Sequence, residues 1–93
     1  MKLTVEFGGG MDVLFNGRKR IELDVPLTTV HDLILYLRDK ELSERGDLFV
    51  DGDSLRSGIL VLVNDVDWEV LDKDDTELSE RDHVLFLSTL HGG

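Results

Sequence analysis

The residues with the clearest chemical potential stand at the end of the chain, Leu90-His91-Gly92-Gly93. A strand-like run, residues 83–87, feeds directly into them. Two glycines in succession carry no side chains, so the backbone there is slender and admits close approach by another protein. The expected product is a narrow projecting tail, residues 88–93, ending in the carboxylate of Gly93. Such a thread can enter a confined active site and present its carboxylate for activation. With a reference pKa of about 3.5 the group is ionised near neutrality. It acylates poorly until it acquires a good leaving group. Taken alone, the dipeptide reads more simply as a frayed chain end, so the rest of the sequence has to decide.

Other candidates for chemistry are weaker. His91 titrates near neutrality and could act as an acid or base. No partner is visible for it, and it reads as a recognition or spacer residue. His31 and His83 read as surface or edge residues. Gly8-Gly9-Gly10 lacks the following helix and the Gly-Lys-Ser/Thr of a phosphate loop, and reads as a turn or bulge. Asp51 and Asp53 resemble a fragment of a calcium loop, but the twelve-residue ligand pattern is not completed, and no metal site is expected. The chain has no cysteine, which excludes disulfides, thiolate metal sites and a thiol nucleophile. No nucleophile–base pair can be assembled, so the chain is not expected to be an enzyme.

Charge narrows the partners. Asp and Glu total 20 against 10 Lys and Arg, a formal net charge of -10. That opposes direct binding to nucleic acid, which rests on neutralising phosphates, and to anionic membranes. Partners with basic grooves gain from steering. Neither a bilayer-spanning run nor a secretory signal is apparent, Glu6 standing where an apolar core would be needed. The expected location is the cytoplasm, with the nucleus open, and the expected state is a monomer.

The elements that must position the tail follow from periodicity. The 93 residues, 41% apolar, suit one domain with one core, residues 1–93. Residues 2–7 alternate, with Leu3, Val5 and Phe7 on one side. Residues 12–15 form a short apolar piece, and Asn16-Gly17 is a strong hairpin signal. Residues 20–25 alternate again, so a hairpin with an irregular first arm is predicted. Pro26 ends it. Thr29 caps a helix over 29–40, Asp32 favours its positive end, and Val30, Leu33, Ile34 and Leu37 line one face. Residues 41–58 are polar and turn-rich, with 48–50 as a short buried turn or strand.

Residues 59–63 are continuously apolar, Asn64-Asp65 turns, and 68–71 is the expected return arm. An acidic loop over 72–82, holding at most a helical turn, leads to a last strand at 84–87. A strand apolar on both faces is covered on both sides in a sheet. One helix covers one face, so Leu60, Leu62, Leu85 and Leu87 are expected on the other, as an apolar partner surface. The alternative, that they pack under the long loops, stays open. The order is α+β, a mixed sheet crossed by one main helix. With the first and last strands neighbouring in parallel, it is a β-grasp.

Three stretches carry a closer likeness: VEFGGG near the start, FVDGDSLRSGILVLVNDVDWEVL in the middle and VLFLSTLHGG at the end. Together with the element order they resemble the ubiquitin-related modifier family of eukaryotes over nearly the whole chain. The resemblance implies a ubiquitin-like β-grasp fold and a sulfur carrier that is also a protein modifier. It implies that an E1-like activating enzyme adenylates Gly93 with ATP. A rhodanese-like sulfurtransferase domain of that enzyme then supplies persulfide sulfur, and the end becomes a thiocarboxylate. A cytosolic tRNA thiolase complex passes the sulfur to a wobble uridine, and the same terminus joins lysines of target proteins. Leu90, His91, Gly92 and Gly93 would be what the activating enzyme recognises. The chain itself would bind no cofactor. The absent phosphate loop, the absent cysteine and the acidic charge each agree with this division of labour. Runner-up readings are a carrier for molybdopterin or thiazole synthesis and an interaction module with an inert end.

Overall fold

A computed structural model of the chain describes residues 1–43 and 45–89. Its main sheet is built from β1 (Lys2–Gly8), β2 (Arg20–Asp24), β5 (Ile59–Val63), β6 (Val66–Asp67) and β7 (Asp82–Ser88), in the order β2-β1-β7-β5-β6. The central pair, β1 and β7, is parallel, with Val5 opposite Val84 and Phe7 opposite Phe86. The other pairings are antiparallel. A second, two-stranded sheet joins β3 (Val50–Asp51) to β4 (Ser54–Leu55). This is the expected α+β β-grasp, and its parallel centre brings the chain's first strand beside its last.

Alternation sorts each strand into a core side and an open side. Leu3, Val5 and Phe7, Ile21 and Leu23, Ile59, Val61 and Val63, and Val84 and Phe86 are buried. Helix α1 (Val30–Tyr36) packs Val30, Leu33 and Ile34 into the same core, and a wider turn over Leu37–Glu41 adds Leu37. Burying a side chain of this kind contributes about 1.5–3 kcal/mol. Four rings bind the core's far end: Phe7 stacks on Phe15 at 3.9 Å, and Phe15 and Phe86 both meet Phe49 edge-on. The helix starts where Thr29 and Asp32 form a reciprocal capping box. Within the wider turn that continues it, the Arg38 guanidinium reaches the Gly52 carbonyl at 3.0 Å and the Asp53 carboxylate at 2.9 Å.

Two local expectations change. The expected hairpin of β1 and β2 forms, but Asn16-Gly17 is not its tight turn. Residues Met11–Phe15 wind into a 3-10 turn, and Asn16, at φ 63°, ends it. The Gly17 N–H donates to the Asp12 carbonyl at 2.8 Å, which closes that turn rather than a hairpin ladder. The return arm after Asn64-Asp65 is only Val66–Asp67, because Trp68–Val70 is another 3-10 turn. Its cap is the Asp67 carboxylate, which accepts the Glu69 N–H at 2.9 Å. The acidic loop holds one 3-10 turn, Lys73–Asp75, within the expected limit, and it is tied to the start of the helix. Val30 N–H donates to the Thr76 carbonyl at 2.9 Å, and Leu78 N–H to the Thr28 carbonyl at 2.8 Å.

Candidate functional site

The open face of the sheet divides into an apolar and a polar half. Leu60, Leu62, Leu85 and Leu87 are half-buried, while each neighbour in strand, from Ile59 to Val63 and at Val84 and Phe86, turns into the core. The β5–β7 register sets Leu60 opposite Leu87 and Leu62 opposite Leu85. The four leucines are therefore two adjacent cross-strand pairs on the side away from the helix, the first of the two placements open from sequence. Periodicity did not reveal that Gly8 belongs with them. The parallel register places Gly8 beside Leu87, and a Cβ built there would lie 2.7 Å from Leu87 Cδ1 and 3.8 Å from Leu85 Cδ1. The leucine side chains spread over the space that Gly8 leaves empty.

Beyond Leu85 the face becomes polar. Thr4 donates its hydroxyl to Glu22 at 2.9 Å, and the Arg20 guanidinium meets Glu22 at 3.1 Å. The Thr4 hydroxyl above all, helped by Arg20, holds the Glu22 carboxyl below the usual range. His83 is indeed at the surface, its Nε2 2.6 Å from Glu6, where the apolar half begins. His31, on the helix, faces Asp74 across 3.1 Å.

The root of the tail is fixed more firmly than expected. Ser88 still belongs to β7, opposite Ile59. Thr89 donates its N–H to the Gly58 carbonyl at 2.9 Å, and its hydroxyl donates to the same oxygen. On the other side, Gly9 adopts φ +65°, and a Cβ there would collide with the Ser88 carbonyl oxygen. Gly8 thus closes β1, while Gly9 and Gly10 make the expected turn, which abuts the chain's exit from the sheet. A tail beginning at 88 is corrected: the ladder and the Gly58 carbonyl hold the chain through Thr89. Leu90, His91, Gly92 and Gly93 lie outside the described residues. Among the described residues no cluster of His, Asp and Glu could hold a metal, and no helix is long and apolar enough to cross a membrane.

Comparison with known proteins agrees along the whole chain. The sequence profile of Urm1 (Ubiquitin related modifier) matches residues 2–93. Ubiquitin-related modifier 1 of Bos taurus is 46% identical over 97 residues, covering 100% of this chain and 96% of its own length. The human protein of the same name is 45% identical with the same coverage. The solution structure of Urm1 from Trypanosoma brucei superposes with a TM-score of 0.86 at 43% identity, covering 99% of this chain and 95% of its own.

Proposed function

The chain belongs to the ubiquitin-related modifier family, and on that premise we propose that Gly93 is its reactive residue and that its carboxyl carries sulfur. As a member of that family the chain is a small modifier on which enzymes act, not an enzyme. An E1-like activating enzyme joins the Gly93 carboxylate to AMP from ATP, which supplies the missing leaving group. The terminal sulfur of a persulfide on a rhodanese-like domain then displaces AMP, forming an acyl disulfide. A second thiol of the enzyme attacks the inner sulfur, releasing the thiocarboxylate and leaving the enzyme as a disulfide. The cytosolic tRNA thiolase complex consumes that sulfur at a wobble uridine, and the same activated end forms isopeptide bonds with lysines of target proteins. Delivery of sulfur to cytosolic tRNA implies a cytoplasmic location.

One observation carries the reading: the family profile runs through the final Leu-His-Gly-Gly. The described residues support it from behind. Leu60, Leu62, Leu85 and Leu87 offer an enzyme an apolar hold, and Thr89 keeps the chain at a fixed exit close to Leu87. The enzyme grips the globule there and draws Leu90, His91, Gly92 and Gly93 into its active site. The charge of -10 leaves tRNA to be held by the thiolase rather than by this chain.

The test is an intact mass after incubation with the activating enzyme, ATP and a sulfur donor. The expected product carries an oxygen-to-sulfur exchange, located to Gly93 by its terminal peptide. Deleting Gly93 abolishes the exchange. A protein that stays unexchanged while the enzyme loads another carrier overturns the proposal.

A further inference from the structure

A second surface lies at the other edge of the sheet. Large apolar side chains are well exposed at five described positions, and three of these fall within six residues: Val66 (41%), Val70 (75%) and Leu71 (39%). The segment that holds them, residues 65–75, contains Asp65, Asp67, Glu69, Asp72, Asp74 and Asp75. Its only basic residue is Lys73, which pairs with Glu69 at 3.2 Å. This short stretch thus contributes half of the net charge of -10. Isolated exposed valines need no explanation. Three exposed apolar side chains within a stretch that carries six carboxylates describe a particular complement.

We propose that Val66, Val70 and Leu71 dock a basic amphipathic segment of a partner protein, its apolar side chains on theirs and its Lys or Arg residues against the carboxylates of the same stretch. Charge selects this occupant. A second copy of the chain is itself strongly acidic, and nucleic acid and anionic lipid are repelled for the same reason. Strand addition is also disfavoured, because β6, the edge strand, is two residues long. Contact is therefore through side chains, as when an amphipathic helix is held by its apolar anchors. The surface adjoins the leucine face without being part of it: Asp67 stands opposite Leu62 across the β5–β6 pair. β6 pairs with Leu62 and Val63, at the opposite end of β5 from Gly58, to which Thr89 is bound.

The experiment titrates the full-length, isotope-labelled protein with a synthetic helical peptide that has leucines on one face and lysines bordering them, and follows amide shifts by NMR. Shifts are expected to concentrate at Val66, Val70 and Leu71. Val70→Ser/Leu71→Ser, at exposed positions that the core does not use, is expected to weaken binding about tenfold. Replacing the peptide's lysines by glutamates is expected to abolish binding. Shifts confined to Leu60, Leu62, Leu85 and Leu87, equal binding by the double variant, or equal binding of the glutamate peptide each overturn the proposal. Deleting Gly93 leaves the titration unchanged, so this surface stands or falls separately from the chemistry of the tail.

Discussion

Gly8 and Leu87 lie side by side in the parallel centre of the sheet, and the leucine side chain occupies the space where Gly8 has no Cβ. The contact is with Cδ1, the free end of a half-exposed side chain that can rotate away. Gly8→Ala therefore disturbs the open face without breaking the core. Glycine within a strand is itself unfavourable by about 0.5–1 kcal/mol relative to alanine, so the melting temperature is expected to hold or rise slightly. Sulfur loading by the activating enzyme is expected to fall several-fold. Unchanged loading together with unchanged melting would detach the leucine face from activation.

Gly9 and Gly10 are adjacent and both have positive φ, +65° and +88°, yet they predict different outcomes. A Cβ at Gly10 meets nothing within 4 Å, whereas one at Gly9 collides with the backbone of Ser88. A backbone atom in a ladder cannot turn aside. Gly10→Ala is expected to cost about 1 kcal/mol, for the left-handed backbone alone. Gly9→Ala is expected to cost about 3 kcal/mol or more, since close overlap adds to the backbone strain. Urea denaturation of the two variants measures the difference, and equal costs would contradict the contact between the turn and Ser88.

The capping box makes stability depend on acid. Asp32 accepts the N–H groups of Thr29 and Thr28, each at 3.1 Å. The bond from Thr29 first and that from Thr28 second hold its carboxyl below the usual range. A carboxyl lowered on folding stabilises the fold above its unfolded pKa, about 3.9. That stabilisation is lost as the pH falls through the folded value. Asp32→Asn is expected to flatten this part of the acid-unfolding curve, while Thr29→Ala is expected to cost about 1 kcal/mol at neutral pH. Thermal melts from pH 7 down to pH 2 show both effects. A slope identical in Asp32→Asn and the parent would exclude the cap as its source.

Much of this is legible in the sequence. Periodicity of two placed Leu3, Val5 and Phe7, Val84 and Phe86 in the core. Thr29 and Asp32 announced the helix, because a cap is written in two side chains three residues apart. Two expectations fail where another polar group takes an N–H that a ladder would have used. Asp67 captures the Glu69 N–H and turns Trp68–Val70 out of the return arm. Near Asn16 the carbonyl of Asp12 takes the Gly17 N–H, and the Asn16 N–H is met by the Ser43 hydroxyl at 2.9 Å. Neither Asp12 nor Ser43 is distinctive in sequence. The leucine face was half legible: alternation separated its members, but only the register could bring Gly8 beside them.

The exit of the tail gives the most direct test of positioning. Thr89 is bound to Gly58 through its backbone N–H and through its hydroxyl. Thr89→Ala removes the second bond and keeps the first. Thr89→Pro removes both and forces φ to about −65°. Each lost bond is worth about 1 kcal/mol to the fold, so both variants are expected to stay folded at 25 °C. They should separate in the loading reaction, where a displacement of about 1 Å can cost a hundredfold in rate. Thr89→Ala is expected to load sulfur within about threefold of the parent, and Thr89→Pro at least tenfold more slowly, although both remain folded at the assay temperature. If both load at the parent rate, the activating enzyme captures the end of the chain wherever it leaves the sheet, and the hold on Gly58 serves stability alone.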